Sequence, residues 1–180
     1  GARPAVASFT FGILTAAQVA RLQAVGSYVI GTATTLAEAQ GWAAVGADAV
    51  CASGMEAGGH RGTFLTPTQP GATGAAPSLA DFAASMVGTL PLVAQCVQAL
   101  SIPVIAAGGI MDGRGIAGAL ALGAQAVQMG TAFLTCPESA IGTAYREALT
   151  RAQATDTRTT RIFSGRPARG IVNRMMQALQ

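Results

Sequence analysis

The 180-residue chain is 51% hydrophobic and 11% charged, and its net charge is +3. This composition excludes intrinsic disorder and predicts a single domain over residues 1–180. Gly, Gln, Arg and Thr interrupt each apolar run before the roughly 18 residues that a membrane span requires, so we expect no contact with a membrane.

Short apolar segments recur along the chain, each followed by small residues and then by a stretch with helical signals. They are apolar on both faces, which is typical of strands in a buried parallel sheet. Repeated βα units with short loops predict right-handed crossovers and an α/β fold. The predicted strands are PAVASFTFG (4–12), SYVIGTA (27–33), ADAVCASG (47–54), IPVIAAGG (102–109) and AQAVQMGT (124–131).

Helix signals lie between these strands. Thr15 and Gln18 have the spacing of a capping box, in which each side chain binds a free backbone N–H of the other residue. Thr35 and Glu38 repeat this spacing. Pro137 suits the first turn of a later helix, because a proline has no N–H to leave unpaired. Three glycines precede strands at positions that favour a positive φ angle, namely Gly26, Gly46 and Gly123.

The interval between the third and fourth strands is longer than the others. We predict one helix from about Ser78 to Leu100 at its end. Residues 66–77 before it are rich in proline, glycine and threonine, which indicates a surface excursion. Long βα loops commonly cover a site, although an insertion without a role is the alternative. We therefore predict an active-site loop region over residues 54–77.

Small or hydroxyl residues follow the strands at the end where parallel α/β folds bind ligands. Gly108 and Gly109 follow the fourth strand, and Gly130 and Thr131 follow the fifth. The last two βα loops of an eight-stranded barrel commonly bind a phosphate through their backbone N–H groups. We therefore predict a phosphate-bearing cofactor at these two corners. No GxGxxG opens a helix, which argues against a Rossmann dinucleotide site.

His60 is the single histidine of the chain and lies in the glycine-rich stretch EAGGHRG, residues 56–62. Its position beyond the third strand predicts that it lies at the same edge as the two glycine corners. Imidazole is the side chain best suited to accept a proton near neutral pH, so we predict a catalytic base. A loop histidine that caps a carbonyl is the alternative. Cys51 is not favoured as a nucleophile paired with His60, because it lies inside an apolar strand.

Other polar residues near His60 leave their roles open. Glu56 and Arg61 either form an ion pair that orients the loop or are solvated at the surface. Trp42 is expected in the core or at an interface. The cysteines at positions 51, 96 and 136 have no CxxC spacing, so neither disulfides nor a metal site are predicted. Such cysteines fit a reducing compartment, and we expect a cytoplasmic protein.

Arginine supplies all the basic side chains and is concentrated near the end of the chain. Aromatic residues hardly interleave with these arginines, so we do not predict nucleic acid as a partner. A solvated, arginine-rich helix and loop is the favoured interpretation. The arginines of this region are Arg151, Arg158, Arg161, Arg166, Arg169 and Arg174.

Several stretches resemble the nitronate monooxygenase family, formerly called 2-nitropropane dioxygenases. They run through nearly the whole chain, and EAGGHRGTF and SGRPARG are far more specific than glycine loops alone. The resemblance implies an FMN-dependent (β/α)₈ TIM barrel that oxidises alkyl nitronates with O₂ to a carbonyl compound and nitrite. The stretches are VASFTFG, VIGTATT, GADAVCASGMEAGGHRGTF, IPVIAAGGIMDGRGIAGALALGAQAVQMGTAFL and IFSGRPARGIVN.

The resemblance also implies a role for each matching residue. His60 would remove the α-proton of a nitroalkane or position its nitronate near the flavin. Gly58 and Gly59 would approach the flavin, and the two glycine corners would hold the FMN phosphate. Thr32 and Ser53 would touch the isoalloxazine ring, where relatives often have larger polar residues.

Two other functions are compatible with these residues. FMN-dependent enoyl-acyl-carrier-protein reductases have a similar Gly-Gly-His loop, but the RGTF sequence at residues 61–64 favours the nitronate enzymes. A complete barrel has about 250 residues and eight βα units, whereas this sequence predicts only about five. We therefore expect a partial barrel, which is either a fragment or one piece of a noncovalent or proteolysed barrel that a homo-oligomer or a complementing chain completes. An inactive, phosphate-binding half-barrel that acts as a scaffold or association partner is the third hypothesis.

Overall fold

Five parallel strands form the main sheet of the computed structural model, which describes residues 3–64 and 79–179. Their spatial order is β1-β2-β3-β5-β6, and the three remaining strands form a second sheet. The predicted α/β partial barrel is confirmed, with each of the five predicted segments on one strand of the main sheet. The strands are β1 (Val6–Phe9), β2 (Tyr28–Ala33), β3 (Ala49–Ser53), β4 (Gly59–His60), β5 (Val104–Ala107), β6 (Ala126–Gln128), β7 (Thr157–Thr160) and β8 (Ala168–Ile171).

Helices connect the strands of the main sheet and cover it. In residues 3–64 and 79–179, no helix is both long and apolar enough to cross a membrane. Short 3₁₀ helices span Thr131–Thr135 and Ala154–Asp156. The α-helices are α1 (Ala16–Gln23), α2 (Leu36–Ala44), α3 (Leu79–Ala84), α4 (Thr89–Ala99), α5 (Gly113–Ala121), α6 (Thr143–Arg151) and α7 (Arg174–Ala178).

The helix boundaries follow the sequence signals in part. The capping box at Thr15 is confirmed, because Gln18 N donates to Thr15 Oγ1 at 3.3 Å and Thr15 N donates to Gln18 Oε1 at 2.9 Å. Thr35 caps α2 in the same way through Glu38 N, but the Glu38 carboxylate binds other partners, described below. The three glycines that precede strands all have positive φ angles, as predicted: Gly26 +88°, Gly46 +88° and Gly123 +96°.

The single helix predicted from Ser78 to Leu100 is wrong, because two helices, α3 and α4, occupy the described part of this interval. Pro91 lies in the first turn of α4, where its missing N–H breaks no hydrogen bond. Its ring would clash with the preceding turn of a longer helix, so α3 and α4 cannot be one continuous helix. Gly88 adopts an extended conformation and begins α4. Pro137 also begins no helix, since it follows an extended Cys136 in a turn before α6.

A second, antiparallel sheet joins residues 56–62, which we call the histidine loop, to the two strands β7 and β8 near the C-terminal end of the chain. Its strand order is β4-β8-β7, with His60 opposite Ala168 and Thr160 also opposite Ala168. The solvated helix and loop predicted for the arginine-rich region are therefore confirmed only in part: Arg151, Arg158, Arg161 and Arg174 are exposed, but Arg158 and Arg169 lie on strands. The β-branched run TRTT of β7 was the signal for a strand.

Trp42 is fully buried in the core between α2 and the sheet. Its ring stacks on Phe9 at 6.3 Å and meets the edge of Phe64 at 6.5 Å between centroids. Its Nε1 donates to the carbonyl of Thr32 at 3.2 Å, so the one polar atom of the ring is satisfied. A Cβ atom on Gly31 would lie 2.0 Å from Trp42 Cδ2, and only glycine lets the strand pass this closely. Of the two positions that the sequence left open for Trp42, core or interface, the structure shows the core.

Candidate functional site

The carboxyl ends of the five parallel strands lie along one edge of the main sheet, which we call the rim. All four strand pairs are parallel, so the residues that follow β1, β2, β3, β5 and β6 share this edge. The rim is therefore the place where a ligand of a parallel α/β fold is expected. The described part of the predicted loop region, residues 54–64, lies here, and residues 65–77 are outside the described residues.

The histidine loop packs directly on both glycine corners. A Cβ atom on Gly58 would lie 2.6 Å from Thr131 Oγ1. A Cβ atom on Gly108 would lie 2.9 Å from Ala57 N, and one on Gly109 would lie 3.0 Å from the Cβ of Glu56. Gly108 and Gly109 also have positive φ angles of 110° and 69°. These glycines allow three loops from different strands to meet without side chains between their backbones.

Backbone N–H groups remain available at these corners. Gly130, Thr131 and Ala132 begin a 3₁₀ helix, and within the described chain their N–H groups donate to no protein acceptor. The same holds for Gly109. A helix start with unpaired donors favours an anion. By contrast, the N-terminus of α5 is already capped by the carboxylate of Asp112, so it is not the anion site.

His60 lies on the rim between β1 and the turn that joins β7 to β8. Its Nε2 is 2.6 Å from Ser164 Oγ, which also accepts a hydrogen bond from Arg166 N at 3.4 Å. The ring meets Phe11 edge-on at 6.2 Å between centroids. Phe11 has a φ angle of 71°, unusual for a residue other than glycine, and this turns its ring towards the site. The imidazole is exposed and therefore open to a reactant.

A guanidinium completes the surroundings of His60. Arg166 Cζ lies over the Phe11 ring, 5.2 Å from its centre, in a cation–π contact. Arg166 Nη1 is buried and has no hydrogen-bond partner among residues 3–64 and 79–179. The arginine-rich segment, which the sequence assigned to solvent, thus contributes a cation to the rim.

Thr32 and Ser53 lie at the rim but differ in what they offer. The Thr32 hydroxyl is 3.1 Å from that of Thr10, and the residue is only 8% exposed. Thr32 is therefore turned towards its neighbouring strand. Ser53 lines a recess of about 10 Å³ together with Gly59, His60 and Arg169. Such a recess holds at most about one water molecule.

The predictions for Glu56 and Arg61 hold only in part. Glu56 is exposed, whereas Arg61 is 7% exposed and therefore not solvated, and the two residues do not form a direct ion pair. Glu56 Oε2 instead accepts hydrogen bonds from Thr89 N at 2.9 Å and Thr89 Oγ1 at 2.8 Å. Glu56 thereby caps α4, whose first residue follows a glycine with no capping side chain. The Arg61 guanidinium donates to backbone carbonyls.

Glu38 is the polar residue that sequence reasoning missed. It is fully buried, and its Oε2 accepts from Thr34 N at 2.6 Å and Thr34 Oγ1 at 2.7 Å. Its Oε1 accepts from Phe64 N at 2.6 Å. A carboxylate three residues after Thr35 was interpreted as part of a local cap. It reaches across the fold instead, and only long-range contacts reveal this.

Cys51 behaves as a small core residue. It is 1% exposed, and burial raises the pKa of its thiol to about 12. Burial likewise raises the pKa of Cys96 to about 11. Both thiols are therefore protonated at neutral pH, which removes Cys51 as a nucleophile.

Comparisons with known proteins agree in sequence and in structure. A family model described as nitronate monooxygenase matches residues 1–180. A nitronate monooxygenase of Pseudomonas aeruginosa is 54% identical over 173 residues, which is 96% of this chain and 45% of that protein.

Two solved structures extend the comparison. Nitroalkane oxidase from Streptomyces ansochromogenes matches with a TM-score of 0.85 and 46% identity, over 96% of this chain and 46% of that one. FabK from Thermotoga maritima matches with a TM-score of 0.75 and 36% identity, over 97% of this chain and 49% of that one. The chain thus spans about half the length of the relatives it matches.

Proposed function

The chain belongs to the nitronate monooxygenase family, and we propose on this premise that it supplies the base and the phosphate site of an FMN enzyme. The reaction is oxidation of an alkyl nitronate by O₂ to a carbonyl compound and nitrite. The observation that carries this proposal is the packing of the His60 loop on both glycine corners at one rim.

The residues at the corners fit a flavin mononucleotide. The phosphate would be held by the N–H groups of Gly109, Gly130 and Thr131, which are unpaired within the described chain. Gly58 and Gly59 have no side chains, so the ribityl chain would pack directly against their backbone. When bound, FMN supplies the electron transfer between nitronate and O₂, and the protein supplies positions and protons.

His60 takes the α-proton of a neutral nitroalkane in this proposal. In the tautomer that can do so, Nε2–H donates to Ser164 Oγ and Nδ1 carries the free electron pair. The proton passes from the α-carbon to Nδ1, which leaves an imidazolium and a nitronate anion. The imidazolium would then stabilise the negative charge of this anion together with Arg166, whose guanidinium lies over the same Phe11 ring that His60 contacts.

The replacement His60→Asn tests the role of the base. We expect oxidation of a neutral nitroalkane to fall by on the order of 10²-fold or more, while flavin content is retained. The measurement is O₂ consumption in parallel with the visible flavin spectrum. Unchanged oxidation of neutral nitroalkanes by this variant would show that His60 is not the base.

The Gly58-Gly59-His60 sequence also favours a second candidate, an FMN-dependent enoyl-acyl-carrier-protein reductase. The two functions use different oxidants and reductants. NAD(P)H-dependent reduction of an enoyl thioester supports the reductase, whereas O₂ consumption and nitrite release with a nitronate support the first proposal.

We also propose that further strands complete the barrel, from a second copy or from another chain. The visible spectrum and native mass of the purified 180-residue chain test this. A flavin band in a particle larger than one chain supports completion. A colourless monomer supports the inactive half-barrel acting as a scaffold.

A further inference from the structure

The Arg61 side chain connects three separate segments of backbone. Its Nη1 donates to the carbonyl of Ser53 at 2.7 Å, at the end of β3. Its Nη2 donates to the carbonyls of Thr34 at 3.2 Å and of Ser85. These carbonyls lie at or just after the ends of β2, β3 and α3, so one guanidinium fixes the spacing of three chain segments.

The backbone of Arg61 binds a fourth segment. Arg61 N donates to the carbonyl of Pro167 at 2.8 Å, next to the β4–β8 pairing. Pro167 is three residues from Ser164, the partner of the imidazole. Arg61 therefore joins the main sheet, through its side chain, to the small sheet that carries His60 and its partner, through its backbone.

A buried carboxylate holds the other end of the same segment. Phe64 N donates to Glu38, and Thr34 donates to Glu38 through both its N and its hydroxyl. Thr63 Oγ1 is 2.8 Å from Thr34 Oγ1 and donates to Ser85 Oγ at 2.9 Å. Residues 61–64 are thus anchored at both ends and at Thr63. The side chains of Arg61, Thr34 and Thr63 are all less than 10% exposed.

Burying this guanidinium has a cost that packing alone does not explain. Burial lowers the pKa of Arg61 below its ordinary value, and the charges of Glu38 and Glu56 act in the opposite direction. Its Nε is buried with no partner in the described part of the chain. Buried ion groups of this kind are weak evidence for stability and are used for specificity of geometry in some systems.

We infer that Arg61 is a positioning residue, which sets the place of the neighbouring His60 at the rim through its carbonyl contacts, with Glu38 as its buried counter-charge. The inference rests on the proposed role of His60 as the base. Arg61 touches neither substrate nor cofactor in this account. Its effect is to hold the imidazole between Ser164 and Phe11, the position in which His60 accepts the α-proton of a nitroalkane.

The test compares two substrates in the flavin-loaded protein. A neutral nitroalkane needs the base, whereas its preformed nitronate has already lost the proton. In Arg61→Met, we expect the ratio of nitroalkane to nitronate oxidation to fall at least 10-fold, with flavin content retained. Arg61→Lys should restore only part of the ratio, because one ammonium group does not reproduce the planar fork of a guanidinium. Arg151→Met is the matched control, since Arg151 is exposed and forms a surface ion pair with Glu147.

A second variant separates positioning from folding. Arg61→Met leaves a buried carboxylate, so we pair it with Glu38→Gln, which removes both charges together. This double variant should keep its flavin and its thermal midpoint closer to the parent than Arg61→Met does, and should still show the reduced ratio. Adding Arg61→Met to His60→Asn should cause no further loss with the nitroalkane, because the position of residue 60 no longer matters once the base is absent.

Each outcome decides between the two claims. If His60→Asn leaves the ratio unchanged, the proposed base is wrong, whatever the Arg61 variants do. If His60→Asn lowers the ratio but the Arg61 variants keep it, the positioning inference alone is overturned. Equal loss with both substrates, or failure of both Arg61 variants to accumulate with flavin, also overturns it, because Arg61 would then serve folding only.

Discussion

At the scale of single residues, the missing methyl group of Gly31 makes room for Trp42. Gly31→Ala would place a Cβ atom 2.0 Å from a fully buried indole, and neither group has space to retreat. We expect the free energy of unfolding to fall by about 3 kcal/mol, the upper part of the range for an overpacked core. Chemical denaturation of the purified variant measures this.

Gly118→Ala is the matched control for that substitution. Gly118 lies in α5, and a Cβ atom there has nothing within 4 Å among the described residues. Since alanine favours a helix more than glycine does, we expect a gain of about 1 kcal/mol. Equal effects of the two substitutions would contradict the packing described for Trp42.

The buried thiols predict how stability depends on alkaline pH. Burial raises the pKa values of Cys51 and Cys96 from an ordinary 9.0 to about 12 and about 11. Above pH 9 the unfolded chain releases these protons and the folded chain keeps them, so stability falls as the pH rises. Each thiol contributes a slope of up to about 1.4 kcal/mol per pH unit.

Cys51→Ala checks this dependence. The variant should lose stability less steeply between pH 9 and pH 11 than the parent, whatever its stability at neutral pH. The measurement is the free energy of unfolding at several pH values. Parallel curves for parent and variant would mean that the Cys51 thiol ionises equally in both states.

At the scale of elements, the turn between β7 and β8 determines where Ser164 lies. Gly165 has a φ angle of 77°. Its N donates to the Arg161 carbonyl at 2.8 Å, and Arg161 Nε donates to the Gly165 carbonyl at 2.7 Å. Gly165→Ala strains this turn by about 1 kcal/mol. We expect a loss of stability of that size together with slower nitroalkane oxidation, because the partner of His60 is displaced.

Gly12→Ala is the control for the turn. Gly12 also lies near the rim, but its φ angle is not positive and a Cβ atom meets nothing within 4 Å in the part of the chain that the structure describes. Its stability should be unchanged. A loss in Gly12→Ala as large as in Gly165→Ala would argue against backbone strain as the cause.

The elements that sequence reasoning identified are those with a local cause. The five parallel strands carry their signal in their own residues, since each is apolar on both faces. The break between α3 and α4 and the sheet formed by β4, β7 and β8 were missed. A two-residue strand such as β4 has no periodicity to detect, and it exists only because Ala168 and Arg169 lie beside it.

At the scale of the whole molecule, the rim gathers residues from every parallel strand. Gly130→Val tests whether the cofactor phosphate lies there. Within the described residues a Cβ atom on Gly130 meets nothing within 4 Å, so the fold tolerates the change. The added side chain would occupy space next to the unpaired N–H groups, and we expect FMN affinity to fall by at least about 10-fold, or about 1.4 kcal/mol.

A flavin titration of the cofactor-free protein measures this affinity. Gly118→Val is the control, because Gly118 is equally open but lies on an exposed face of α5. Equal FMN affinity in Gly130→Val and the parent would remove the Gly130–Thr131 corner from the proposed phosphate site.

The location of the candidate site was predictable from sequence only where it follows from residue type. The expectation that His60 and the two glycine corners meet at one rim came from an isolated imidazole and small residues after strands, and their roles as base and phosphate site stay predictions. The roles of Glu38 and Arg61 could not be identified. The partners of their side chains lie up to 27 residues away, and the sequence shows a buried carboxylate or guanidinium only as a charge.

The contact between His60 and Ser164 spans 104 positions of the chain. During synthesis His60 leaves the ribosome long before Ser164 is made. The loop that carries His60 therefore has no Ser164 to contact while the parallel strands can already pair with their neighbours. Closing so long a segment is slow compared with local pairing. We therefore expect the parallel sheet to assemble before the contact between His60 and Ser164 forms, so that a coenzyme bound before then would meet the proposed base without its partner.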